Sequence, residues 1–197
     1  MSMQTKCAVG AVLLMLLTGS VEAAHGYYDP ASYPNGGFAP ATDAKYQSEC
    51  GSCHFAYLPG LLPARSWEAL LKKPDEHFGE TLALDPETLR HIREYLAANA
   101  GDRSDFTGPK QFLHRMSDET TPLRITSLRM FKHYHSSVLY KMGLAPGLNN
   151  VRDFTPQARK AMLDCASCHE KAAAGSFAQK EIIIRGGQHP PTAVPSG

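Results

Sequence analysis

The sequence predicts a mainly α-helical protein built as two small units, and three observations point there. The stretch from Asp85 to Gly101 carries a full set of helix start and stop signals. A helical stretch runs into the pattern Cys-x-x-Cys-His at two places, Cys50 to His54 and Cys165 to His169. Between the two halves, Gly-Asp-Arg-Ser-Asp-Phe-Thr-Gly-Pro-Lys over Gly101 to Lys110 has the composition of a linker.

Taken in order, the chain begins with an export signal. Lys6 gives a short positive start, Ala8 to Leu17 is an apolar run, and Val21-Glu22-Ala23 places small residues where a signal peptidase reads. The run is too short for a bilayer span, so residues 1–23 are expected to be cleaved; a retained anchor is the alternative. Cys7 precedes the apolar run and leaves with it. His25 to Pro40, rich in Gly, Pro, Tyr and Asn, reads as an irregular leader. Thr42 is expected to cap a short helix, Asp43 to Glu49, and Ser66 a second one holding Trp67, Leu70 and Leu71. Asp85 at the N-cap and Pro86 at N1 open a third, to Asn99, with Leu89, Ile92 and Leu96 on its buried face. Arg124 to Tyr140 is expected to be helical in part. Thr155 and Pro156 start a last helix that should end in the second motif. The proline-rich tail, residues 188–197, is expected to be disordered.

Charge and cysteine use limit the function. The formal net charge is +1, which gives nucleic acid no electrostatic purchase. Beyond the signal there is no apolar run of membrane-spanning length, so the mature chain is expected to be soluble. The four cysteines left, Cys50, Cys53, Cys165 and Cys168, would ordinarily suggest disulfides in an exported protein. The histidine directly after each pair changes that reading.

Two thiols three residues apart on one turn face the same side, where they can add to the two vinyl groups on one porphyrin edge. The next residue, His54 or His169, then reaches the ring plane and can bind its iron. Zinc is a poorer match, because the pairs are far apart and zinc does not ask for a histidine after each. A thioredoxin-like pair would want one motif in a βαβ setting. Two disulfides leave both histidines unexplained. The expectation is therefore two covalently attached haems of c type.

Each iron then needs a sixth ligand, or one site stays open. The remaining histidines are His25, His77, His91, His114, His133, His135 and His189, with Met116, Met130, Met142 and Met162 as sulfur alternatives. His91 is expected in solvent, opposite the apolar face of its helix. His25 and His189 fall in the two ends. His77, between two helices and beside Phe78 and Gly79, suits a loop closing over a haem face.

The run Glu49-Cys-Gly-Ser-Cys-His-Phe-Ala-Tyr-Leu-Pro-Gly-Leu-Leu-Pro-Ala-Arg-Ser-Trp67 resembles the bacterial dihaem cytochrome c family. So do His77-Phe78-Gly79, Arg124-Ile125-Thr126 and the stretch from Cys168-His169 to Phe177. The resemblance runs from about Thr42 to Arg185. It implies a cytochrome c-like N-terminal haem domain, residues 24–105, and a smaller helical C-terminal haem domain, residues 106–187. It implies two histidine ligands on each iron. His77 matches the distal ligand of the first haem and His135 that of the second, with His133 as the alternative. The family usually has a basic-acidic pair and Ile-Pro after that histidine, where this chain has Ser136-Ser137-Val138-Leu139.

The functional expectation is a periplasmic carrier of single electrons, with no bond-making chemistry of its own. The resemblance suggests redox partners such as an oxygen-binding c-type haem protein or a membrane cytochrome b. The alternatives are a haem enzyme or gas sensor with one open iron, or the dihaem subunit of a periplasmic reductase.

Overall fold

The computed structural model describes residues 37–144 and 156–183. The expected signal, the tail, Thr155, His25 and His189 lie outside these residues. Six α-helices and several short 3-10 turns make up the described chain, with no strand among them. The helices are α1 (Ala44–Cys50), α2 (Ala64–Lys72), α3 (Pro86–Ala98), α4 (Thr107–Phe112), α5 (Arg129–Lys141) and α6 (Pro156–Ala161). The mainly helical expectation stands.

Helix α3 follows its sequence signals closely. The Asp85 carboxylate accepts from the backbone N–H groups of Glu87 and Thr88, both at 3.0 Å, and so satisfies two donors that the first turn leaves free. Ile92 and Leu96 are fully buried against α1 and α2, while Leu89 is only partly covered and Thr88 takes its place in the core.

Helices α1 and α2 begin differently from expectation, and each difference has a physical cause. Asp43, not Thr42, caps α1, because its carboxylate reaches the Tyr46 N–H at 2.8 Å. The same carboxylate accepts from His91 Nε2 at 2.8 Å, so His91 is half-buried and tied to α1 rather than free in solvent. Helix α2 starts two residues before Ser66. Its first N–H, on Ala64, is met at 2.9 Å by Asp102, which is distant in sequence. Ser66 is instead fully buried inside the first turn. Trp67 is buried beside it and donates its indole N–H to the Pro59 carbonyl at 2.8 Å.

The stretch read as a linker is ordered and packed. Gly101 to Arg103 forms a 3-10 turn whose Gly101 N–H bonds the Leu62 carbonyl at 2.9 Å, and Gly108 and Pro109 are buried in α4. The glycines serve close approach here, not flexibility. Gly108 donates to the Gly37 carbonyl at 2.9 Å, and a Cβ at Gly108 would stand 2.1 Å from that oxygen. Phe38 in turn donates to the Gly175 carbonyl at 2.9 Å and packs edge-on against Phe112 and Phe177. The chain around Gly37 and Phe38 thus joins α4 to the segment after the second motif.

The second half keeps one expected helix and shortens another. Arg124 to Tyr140 becomes the turn Ile125–Ser127 followed by α5, with Phe131 and Leu139 buried. Helix α6 stops at Ala161, short of the second motif that it was expected to enter. Cys165–Ser167 is instead a 3-10 turn, capped by the Asp164 carboxylate at the Ala166 N–H, 3.1 Å away. An aspartate next to the motif offers the backbone a local turn in place of continued helix.

Candidate haem sites

Each motif presents its histidine from a turn held by backbone bonds. Helix α1 delivers Cys50, and its capping Gly51 N–H returns to the Gln47 carbonyl. At the second motif His169 N–H bonds the Cys165 carbonyl at 2.8 Å, and Ile183 N–H bonds the Cys168 carbonyl at 2.9 Å. No disulfide joins Cys50, Cys53, Cys165 or Cys168. Burial pushes the Cys50 thiol up to about 11 and the Cys165 thiol up to about 12, with Glu49 and Asp164 respectively adding to the rise.

The histidines meet in two pairs. His54 and His77 face each other with ring centroids 6.3 Å apart and planes at 21°. His169 and His135 do so at 6.1 Å, with planes at 72°. Two imidazoles on opposite sides of one metal, each at about 2 Å from it, hold their centroids about 6 Å apart. Among the described residues no cluster of three or more His, Cys, Asp and Glu side chains converges as a metal site.

Hydrogen bonding sets the ring tautomers. His54 Nδ1 lies 2.8 Å from the Phe55 carbonyl, and His135 Nδ1 lies 2.8 Å from the Phe131 carbonyl one turn back on α5. A carbonyl can only accept, so Nδ1 carries the proton in both rings and the Nε2 lone pair is left for a metal. The Phe131 ring stacks on His135 at 4.0 Å and fixes its plane. His169 packs edge-on against Phe177 at 5.1 Å. Burial lowers the pKa of His77, His135 and His169, the last to about 4, with the facing histidine adding to the fall for His77 and His169. These rings are therefore neutral at pH 7, the form that can ligate.

The loop that carries His77 has a backbone of its own. His77 and Glu80 exchange both backbone hydrogen bonds, at 2.9 and 3.0 Å, around the two-residue turn Phe78-Gly79. Both turn residues have positive φ, 56° and 104°, as a type I′ turn requires. Glycine accepts this freely. Phenylalanine does not, and holding it there costs of order 1–3 kcal/mol. The Arg124 guanidinium lies over the Phe78 ring, 3.8 Å from its centroid.

The other candidate ligands fall elsewhere. His133, two residues before His135, is exposed, with its ring against Tyr134. His114 is exposed, and His91 is engaged with Asp43. Met116 and Met162 pack against the core. Sequence reasoning passed over Tyr57. Its ring lies 4.9 Å from that of His54, and its hydroxyl donates to the Leu163 carbonyl at 3.0 Å, two residues before Cys165. No local signal reports a contact between residues so far apart in sequence.

A helical chain that offers paired cysteines with an adjacent histidine, twice, and a second histidine facing each, has the make-up of an α-helical cytochrome. The sequence profile of the dihaem cytochrome c family matches residues 46–177, and the chain belongs to that family. It is thus a haem-based electron-transfer protein whose family carries two haem groups. It is similar to the diheme cytochrome c from Rhodobacter sphaeroides, at 35% identity over 71% of this chain and 99% of that one, with a TM-score of 0.55. It is also similar to the diheme cytochrome type c from Shewanella baltica OS155, at 26% identity over 80% of this chain and 99% of that one, with a TM-score of 0.52. No curated protein matches the chain.

Proposed function

We propose that this chain is a periplasmic carrier of single electrons. Cys50 and Cys53 attach one haem, Cys165 and Cys168 the other, and the irons are ligated by His54 with His77 and by His169 with His135. The two facing histidine pairs, 6.3 and 6.1 Å between centroids, carry this reading. When bound, haem iron supplies reversible one-electron chemistry. The rest is the work of the polypeptide. Phe55 and Phe131 carbonyls orient His54 and His135, burial favours the neutral form of His77, His135 and His169, and two imidazoles per iron would leave no open position for a substrate. Imidazole in place of methionine sets a low potential within the range of about 0.8 V that axial ligands control.

The export signal in residues 1–23 supports a periplasmic site, and no helix among the described residues is long and apolar enough to cross a membrane. The proposed partners are an oxygen-binding c-type haem protein or a membrane cytochrome b, met in small and transient encounters. Stopped-flow mixing of the reduced protein with a ferric c-type haem protein tests the role. Rapid oxidation is expected, with no turnover of peroxide. Peroxide turnover by the isolated protein would favour the enzyme alternative.

A further inference from the structure

We infer that Arg124 is a positioning residue for the His77 side of the first site, clamping the Phe78-Gly79 turn and placing a fixed positive charge near the His77 ring. The inference rests on the ligation proposed above and goes beyond it. Three observations converge on it.

The first is the turn itself. A bulky aromatic residue at φ 56° stays in the left-handed region only when its surroundings hold it there. The ring of Phe78 is 44% exposed, so the core does not hold it. The guanidinium 3.8 Å above the ring centroid does, in the geometry of a cation–π contact. Relaxation of Phe78 would rotate the residue next to His77 and withdraw the ligand.

The second is where Arg124 comes from. It is extended, at φ −124° and ψ 129°, and leads directly into the turn Ile125–Ser127, whose Ile125 is buried, and then into α5. Helix α5 carries His135. Arg124 is thus anchored from the element of one histidine pair and reaches across to the loop of the other.

The third is electrostatic. The Arg124 guanidinium lies 3.8 Å from the Phe78 ring centroid, and that ring packs 4.9 Å from the ring of His77, so a fixed positive charge stands close to the proposed ligand. Reduction of an iron adds one negative charge at the site, so a nearby cation favours the reduced form and raises the potential.

The test uses the full-length dihaem protein and three variants, Arg124→Gln, Arg124→Lys and Phe78→Leu. Potentials of both haems are read by spectroelectrochemistry, and carbon monoxide uptake by the ferrous protein is read by flash photolysis or rapid mixing. Arg124→Gln should lower one potential, leave the other in place, and speed carbon monoxide uptake at one haem by about three- to tenfold. Arg124→Lys should recover the potential. Phe78→Leu should keep the charge, and hence most of the potential, while speeding uptake. The unchanged second haem reports in each variant that the fold is intact. If Arg124→Gln leaves both potentials and the uptake rate as in the native protein, or moves both potentials alike, the inference is wrong. Fast carbon monoxide uptake by the native protein would instead overturn the ligation reading on which it stands.

Discussion

His135→Ala is expected to convert one of the two haems from low-spin and six-coordinate to high-spin and reactive with carbon monoxide, while the other keeps its native spectrum. The ring of His135 faces His169 across 6.1 Å, is stacked on Phe131 and has its Nδ1 proton committed to a carbonyl. His133 lies two positions earlier on α5, a rotation of about 200° that aims it away from the site, and it is exposed. Uptake of carbon monoxide should thus rise from negligible to about one equivalent per chain. His77→Ala should do the same at the other haem, and His133→Ala should do nothing. If His133→Ala opens a haem while His135→Ala leaves the spectrum unchanged, the ligand on α5 is misassigned by two residues.

Removing both thiols of one motif should remove one haem and spare the other. The native protein is expected to return two haem equivalents per chain in a pyridine haemochrome titration and to keep its haem through denaturing electrophoresis. The pair of changes Cys165→Ala and Cys168→Ala should bring the titration to about one equivalent, as should Cys50→Ala with Cys53→Ala. A native value of one equivalent would show that one motif is not used, and would reopen the disulfide reading for that pair.

Much of the helical framework is legible in the sequence because its signals are local. Asp85 and Pro86 announce α3, and the capping bonds are within three residues of the aspartate. Where the sequence misleads, the deciding partner is distant. The start of α2 is set by Asp102, not by the nearby Ser66. Gly101 and Gly108 look like linker glycines, but they are required by carbonyls of Gly60 and Gly37 that pack against them. His91 looks solvent-facing on its own helix until Asp43 arrives from α1.

The candidate sites divide in the same way. The spacing of the cysteines and of His54 and His169 is a local chemical pattern, readable at sight. His77 is suggested by its place between two helices beside Phe78 and Gly79, but its pairing, and the choice of His135, came through resemblance, since nothing local says which ring each would face. The strained Phe78, and its contact with Arg124, leave no trace in residue order at all.

Closure of both irons by two imidazoles is tested most directly by the visible and near-infrared spectrum of the native protein in both oxidation states. Two low-spin haems with bis-imidazole charge-transfer bands in the ferric form are expected, with no high-spin or methionine–iron feature in either state. A high-spin band, or a methionine–iron band at either haem, would contradict that closure.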